Sequence, residues 1–237
     1  MTRRALLFDL DGTLLPLDLE TFLHGCFSGM ARRVGRWLAP DELVNLIWAA
    51  VKDTVENDDS HRTNDEVFRE AFMARAGAGK EEVWAEMEAF YEEEFAQLRH
   101  LTRPTDLAQE ICRTALEQGY ELVVATNPIF PEKAIHERLR WAGLEAIPFR
   151  LVTTMENSHY CKPRVHYYRE ILTKIGRCPE ECTMIGNDVV EDGAAAEAGI
   201  AVGLVTDCLV GSVPVDRPPA WTGTLTDVLE WIKHREI

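Results

Sequence analysis

Two aspartates one residue apart, Asp9 and Asp11, stand between the apolar run Ala5-Leu6-Leu7-Phe8 and the pair Gly12-Thr13. A short apolar run of this kind reads as a buried strand, and in open parallel sheets ligand-binding residues gather beyond the strands' carboxyl ends. Residues two apart on an extended chain face the same way, so the two carboxylates converge. Anions held that close raise at least one pKa unless a cation joins them. The pair therefore suits a bound metal, or a nucleophile beside a proton carrier. An ordinary strand-ending turn would use the same residue types, because Asp and Gly both favour turns.

Three later positions also fall just past apolar runs. Thr126-Asn127 follows Val123-Val124-Ala125, and a hydroxyl with exposed backbone amides suits a phosphoryl oxygen, as it also suits a loop. Cys161-Lys162-Pro163 puts an ammonium before a proline-started helix, where a surface lysine is the alternative. Gly186-Asn187-Asp188-Val189-Val190-Glu191-Asp192 follows Thr183-Met184-Ile185. Acids there suit Mg²⁺, a hard cation with oxygen ligands, and equally suit the capping of a helix N-terminus.

Placing these groups together requires a sheet whose strand ends share one edge. From Asp18 to about His100 the pattern is helical. Leu19, Phe22, Leu23, Phe27, Met30, Val34 and Leu38 form one stripe, a second helix starts at Pro40-Asp41-Glu42, and a third carries Val67, Ala71 and Phe72. After a break at Gly77-Ala78-Gly79, a fourth runs from Val83 to Leu98. Beyond Arg103-Pro104 helix and strand alternate. Helices are expected at 107–118, 131–141, 165–175, 193–198 and 225–233, and strands at 121–125, 151–153, 183–185 and 201–205. The alternation predicts an α/β fold, a doubly wound parallel sheet with helices on both faces and an all-helical insertion after the first strand.

The 237 residues, 46% hydrophobic, are enough for a globular core. A net charge of −15 argues against a nucleic-acid partner, although a local cluster of basic groups and metal still accommodates a small anion. The six cysteines lack paired metal spacing and are expected as free thiols in a reducing cytoplasm. No apolar stretch reaches membrane-spanning length, and the first strand starts too early to leave room for a signal peptide.

Taken in order, Asp-x-Asp-Gly-Thr, strand-Thr-Asn, Lys-Pro and Gly-x-Asp-x-x-x-Asp resemble the haloacid dehalogenase-like hydrolase superfamily along essentially the whole chain, with a helical cap of the phosphatase type. The resemblance implies a Rossmann-like core of residues 1–16 and 101–237, with residues 17–100 as the cap. It implies a Mg²⁺-dependent phosphatase acting on a small-molecule phosphate ester through an aspartyl-phosphate. Asp9 would be the nucleophile and Asp11 the general acid and base, its carbonyl also ligating Mg²⁺. Thr126, Asn127 and Lys162 would bind the phosphoryl group. Asp9, Asp11, Asp188 and Asp192 would hold the metal or orient its cluster. Many relatives read Gly-Asp-Ser at the fourth motif, whereas this chain has Gly186-Asn187-Asp188, and the acidic roles are assigned here to Asp188 and Asp192.

Family dehalogenases lack an acid at the Asp11 position. Phosphonate hydrolases need a cap lysine, and Lys52 and Lys80 sit in polar helix contexts. A sugar phosphomutase and a non-catalytic binding or regulatory protein remain as alternatives. Arg32, Arg33 and Arg36 would either greet an anionic substrate or pair with glutamates of the fourth helix. Leu14-Leu15-Pro16-Leu17 would serve as a cap hinge, and the protein would be a monomer or homodimer.

Overall fold

The computed structural model describes residues 4–77, 79–213, 216 and 218–234. Six parallel strands form one sheet in the order β3-β2-β1-β4-β5-β6: β1 Ala5–Phe8, β2 Glu121–Val124, β3 Leu151–Val152, β4 Cys182–Gly186, β5 Ala201–Val205 and β6 Trp221–Gly223. Both faces are covered, so every residue of β1 and β4 is buried, and β1 reads as an unbroken apolar run. The side-chain alternation of a strand divides β1 between two cores. Leu6 and Phe8 join one core with residues of α5 (Asp106–Glu117), α6 (Glu132–Trp141) and α8 (Leu225–His234). Ala5 and Leu7 join the other, with α7 (Val165–Ile175) and Ala195.

Between β1 and α5 lie α1 Leu19–Val34, α2 Pro40–Glu56, α3 Asn64–Arg75 and α4 Lys80–Glu93. Local chemistry sets their starts. The Asp18 carboxylate accepts from the Thr21 amide at 2.8 Å, Pro40 opens α2, and Thr63 with Glu66 forms a reciprocal capping box. α1 packs on α4, and α2 on α3. The two chain segments linking this helical block to the sheet run side by side, with Leu17 bridging antiparallel to Thr102 and the Arg103 amide bonded to the Pro16 carbonyl at 2.8 Å. Leu14 and Leu15 within the entry segment are fully buried.

Several elements differ from the sequence expectation. α1 ends at Val34, and the stretch expected as the end of the fourth helix is a 3-10 run, Phe95–Leu101. Gly193–Ala198 is likewise 3-10, because six residues stopped by Gly199 at φ 85° are too few to sustain an α-helix. β6 was not expected. It is three residues long and exists by pairing with β5. Ala78, the middle of the expected break, lies outside the described residues.

All six cysteines are free; four are buried, Cys178 is exposed and Cys208 is half-buried. Burial pushes the thiols of Cys26, Cys112 and Cys161 up to about 12. Titration of the native protein with a chromogenic disulfide reagent is expected to give two fast thiols, Cys178 and Cys208, and four that react only on unfolding. No helix among the described residues is long and apolar enough to cross a membrane.

Candidate active site

Register brings three of the four motifs to one edge, and the loop before α7 adds Lys162. Phe8 pairs with Val124 on one side and Ile185 on the other, so Asp9, Thr126 and Asn187 leave their strands at neighbouring levels. The Asp9 amide bonds to the Ile185 carbonyl at 2.9 Å, and the Ala125 amide to the Phe8 carbonyl at 2.7 Å, extending the ladder to the point where chemistry begins. Asp9, Asp11, Thr126, Asn127, Asn187, Asp188 and Asp192 all line one cavity of about 350 Å³.

Lys162 is the centre of the cluster. Its Nζ donates to Asp9 Oδ1 at 2.8 Å and to Asp192 Oδ1 at 2.6 Å, and all three side chains are buried. One ammonium between two carboxylates leaves one negative charge over. Burial accordingly pushes Asp9 upward against the pull of Lys162, and pushes Asp192 up to about 6. Burial alone would lower Lys162, but Asp192 and Asp9 outweigh it and hold the ammonium charged.

The surrounding residues fix these groups. Tyr167 and Thr153 hydroxyls donate to the Thr126 carbonyl at 2.8 and 2.7 Å, pinning the loop after β2. The Asn127 side chain reaches both ways, accepting from the Lys162 amide at 3.3 Å and donating to Glu191 Oε1 at 2.9 Å. Glu191 is pushed up to about 7 by burial. Thr13 donates to Asn187 Oδ1 at 3.0 Å, and Asn187 Nδ2 to the Cys208 carbonyl at 2.7 Å. Gly12 sits at φ 87°, and a Cβ there would stand 2.4 Å from Asn187 Nδ2, so both backbone angle and space demand glycine. At Gly186 a Cβ would meet Asp192 Oδ2 at 2.0 Å.

The two acids after β4 are both tied into local hydrogen bonds. Asp192 is expected to hold the metal or orient its cluster; its Oδ1 holds Lys162 and its Oδ2 accepts from the Asp188 amide at 2.9 Å. Both oxygens are engaged in this arrangement, which matches the cluster-orienting side of the expectation for Asp192. Asp188 turns Oδ1 back onto the amides of Val190 and Glu191, each at 2.8 Å, the capping arrangement that was the alternative reading of this motif.

Sequence reasoning missed Arg138. This residue of α6 is fully buried, donates to the Asp11 carboxylate, and lies with its guanidinium carbon 4.3 Å from the Phe130 ring centroid. The signal was available: Arg138 occupies the apolar stripe Ala134, Ile135, Leu139 and Trp141, where a charge needs a partner. The arginines that were singled out go elsewhere. Arg33 binds Glu86, Glu93 and Glu94, while Arg32 meets Glu94 and Arg36 meets Glu86, so the pairing alternative is the one the structure contains. Lys52 is exposed beside Glu56, and Lys80 is exposed as well.

A family model for haloacid dehalogenase-like hydrolases matches residues 3–199. The chain belongs to this family. It is therefore a hydrolase, built on the family's Rossmann-like fold. A curated relative, the pyrophosphatase PpaX of Anoxybacillus flavithermus (strain DSM 21510 / WK1), is 24% identical over 202 residues, covering 84% of this chain and 81% of that protein. Among solved structures, a predicted phosphoglycolate phosphatase from Haemophilus somnus 129PT superposes with a TM-score of 0.61 at 19% identity, covering 98% of this chain and 99% of that one. The putative HAD-hydrolase YfnB from Bacillus subtilis, whose structure has magnesium bound, gives a TM-score of 0.59 at 21% identity over 98% and 99% of the two chains.

Proposed function

We propose that this hydrolase is a Mg²⁺-dependent phosphatase that cleaves a small-molecule phosphate monoester through an aspartyl-phosphate, with residues 17–100 acting as a cap. The observation that carries the reading is Asp9 held by a buried lysine through one oxygen, two residues from a second acid at the same cavity. Lys162 engages Asp9 Oδ1 at 2.8 Å, and Oδ2, held by the longer 3.4 Å contact from the Thr13 hydroxyl, attacks phosphorus. The leaving alcohol oxygen takes a proton from Asp11, and the phosphoryl group is then on Asp9. Water attacks that phosphorus, gives its proton to Asp11, and phosphate departs with Asp9 restored. Thr126, Asn127 and the Lys162 ammonium face the phosphoryl oxygens and offset their charge. Arg138 orients the Asp11 carboxylate for both proton steps.

The residues fit a magnesium ion. The Asp9–Lys162–Asp192 cluster is already one negative charge in excess, and Arg138 is committed to Asp11, so a phosphate dianion needs a further cation. The donors at hand are all oxygen: Asp9, the Asp11 carbonyl, Asn187 and Asp188. No group of three His, Cys, Asp or Glu side chains is preassembled for a metal among the described residues, so the proposed ligand set draws on a backbone carbonyl and an amide as well. When bound, Mg²⁺ would neutralise phosphoryl charge and polarise the P–O bonds.

The test is phosphate release from a panel of phosphorylated sugars, small acids, nucleotides and pyrophosphate. Release is expected to vanish with a chelator and to return with added Mg²⁺. An isomerised sugar phosphate in place of free phosphate would make the chain a mutase. A partner-dependent phenotype that survives Asp9→Asn unchanged would mark that role as non-catalytic.

A further inference from the structure

A second cavity, of about 230 Å³, lies among the four inserted helices and the loops that follow β2 and β3. Phe27, Met30, Ile47, Trp48, Phe68 and Trp84 supply its helical walls. Its other side is formed by Ile129 and Phe130, which also line the catalytic cavity. These two residues sit just past Thr126-Asn127, and the Ile129 amide bonds back to the Asn127 carbonyl at 2.8 Å. The loop that faces the phosphoryl group therefore continues directly into the wall of an apolar chamber. Packed interiors keep few voids larger than a water molecule, because unfilled apolar space destabilises a fold. This partly open, mostly apolar chamber beside the reacting centre has the form of a ligand pocket.

Resting on the phosphatase reading, we propose that this chamber receives the leaving group, and that the substrate is the phosphate monoester of an apolar alcohol, one aromatic ring or a branched chain in size, bearing no second anion. Size and charge both support this. An engineered apolar cavity of about 150 Å³ holds benzene, so the chamber has room for a substituted ring. Its charged lining residues are Asp65, Glu88, Glu156 and Lys133, and Lys133 is held by Glu92. Burial first, then Glu156 and Glu88, pushes the Asp65 carboxyl upward against the pull of Arg69. The Cys26 thiol in the wall is pushed up to about 12 and stays neutral. A carboxylate or second phosphate on the leaving group would meet repulsion from the three carboxylates, while Lys133 is already paired and Arg69, 5.2 Å from the Trp84 ring centroid, is not among the lining residues. This argues against phosphoglycolate and pyrophosphate as preferred substrates, despite what the relatives are called.

The experiment compares benzyl phosphate, methyl phosphate, phosphoglycolate and pyrophosphate by kcat/KM with Mg²⁺. Benzyl and methyl alcohol are of similar acidity, so their difference reports binding of the ring. Benzyl phosphate is expected to lead methyl phosphate by roughly 100-fold, the discrimination an apolar pocket gives. Leu23→Trp, which fills the chamber from α1, is expected to remove that lead and leave methyl phosphate turnover in place. Met155→Trp fills it from the core side if the first variant does not fold. Equal kcat/KM for benzyl and methyl phosphate, or faster turnover of phosphoglycolate or pyrophosphate, would overturn the assignment and leave the phosphatase intact. Should none of the four release phosphate, saturation-transfer NMR with benzyl alcohol decides the chamber separately. Binding in wild type that the filled variant loses supports it, and no binding overturns it.

Discussion

Asp9→Asn is expected to lower kcat by roughly 10⁴-fold or more while the protein stays folded. The amide keeps the shape of the side chain but cannot form an acyl-phosphate that turns over. Lys162 retains Asp192 at 2.6 Å, and the cluster changes from one excess negative charge to none. Because burial already pushes the Asp9 carboxyl upward, exchanging it for a neutral amide removes a group that the folded state disfavours when charged. The midpoint of thermal unfolding is expected to hold or rise slightly. Phosphate release and calorimetry on the same preparations check both halves. Activity near the wild-type level would remove Asp9 as nucleophile, and a collapse of stability would mean that its charge supports the fold.

Lys162→Met is expected to damage both activity and fold. It leaves Asp9 and Asp192 buried at a site with no ammonium, and breaking a buried ion pair from one side costs about 3–5 kcal/mol. For a chain of this length that is a fall of roughly 10 °C in the unfolding midpoint. The loss should depend on pH, and its sign follows from proton binding. In wild type Asp192 is pushed up to about 6 from an ordinary 3.8, so between these values the folded state holds a proton that the unfolded state releases. The contribution of this group to stability therefore falls as pH rises through that window. Without Lys162 both acids are pushed higher, and the decline continues to higher pH. Chemical unfolding at pH 5 and pH 8 should show the variant closest to wild type at pH 5. A deficit larger at pH 5 than at pH 8 would contradict the arrangement. The kcat is expected to fall by roughly 10²–10³-fold, as for loss of one fixed group that stabilises transition-state charge.

Much of the sheet was legible because strands covered on both faces announce themselves as apolar runs. Ala5–Phe8, Glu121–Val124 and Ala201–Val205 needed only composition and length to be found. Trp221–Gly223 was not legible, since three partly exposed residues after two prolines carry no pattern of their own and become a strand by pairing with β5. The helices of the insertion were visible as stripes, but their ends were set by contacts. The Gly29 face admits the Phe90 ring so closely that a Cβ would stand 2.3 Å from it, a fit between α1 and α4 that no periodicity encodes.

The candidate site divides in the same way. Local order along the chain determined which groups exist and that strand ends would carry them: two acids after β1, a hydroxyl after β2, a lysine before α7 and acids after β4. Tertiary structure alone decided the partners. Lys162 meets Asp9 across 153 residues and Asp192 across 30, and Arg138 reaches Asp11 across 127. Periodicity and propensity act over a few neighbouring residues, whereas the strength of an ion pair depends on distance through space and on exclusion of water. Those two quantities come into being only when the sheet closes, and they set Lys162 between Asp9 and Asp192.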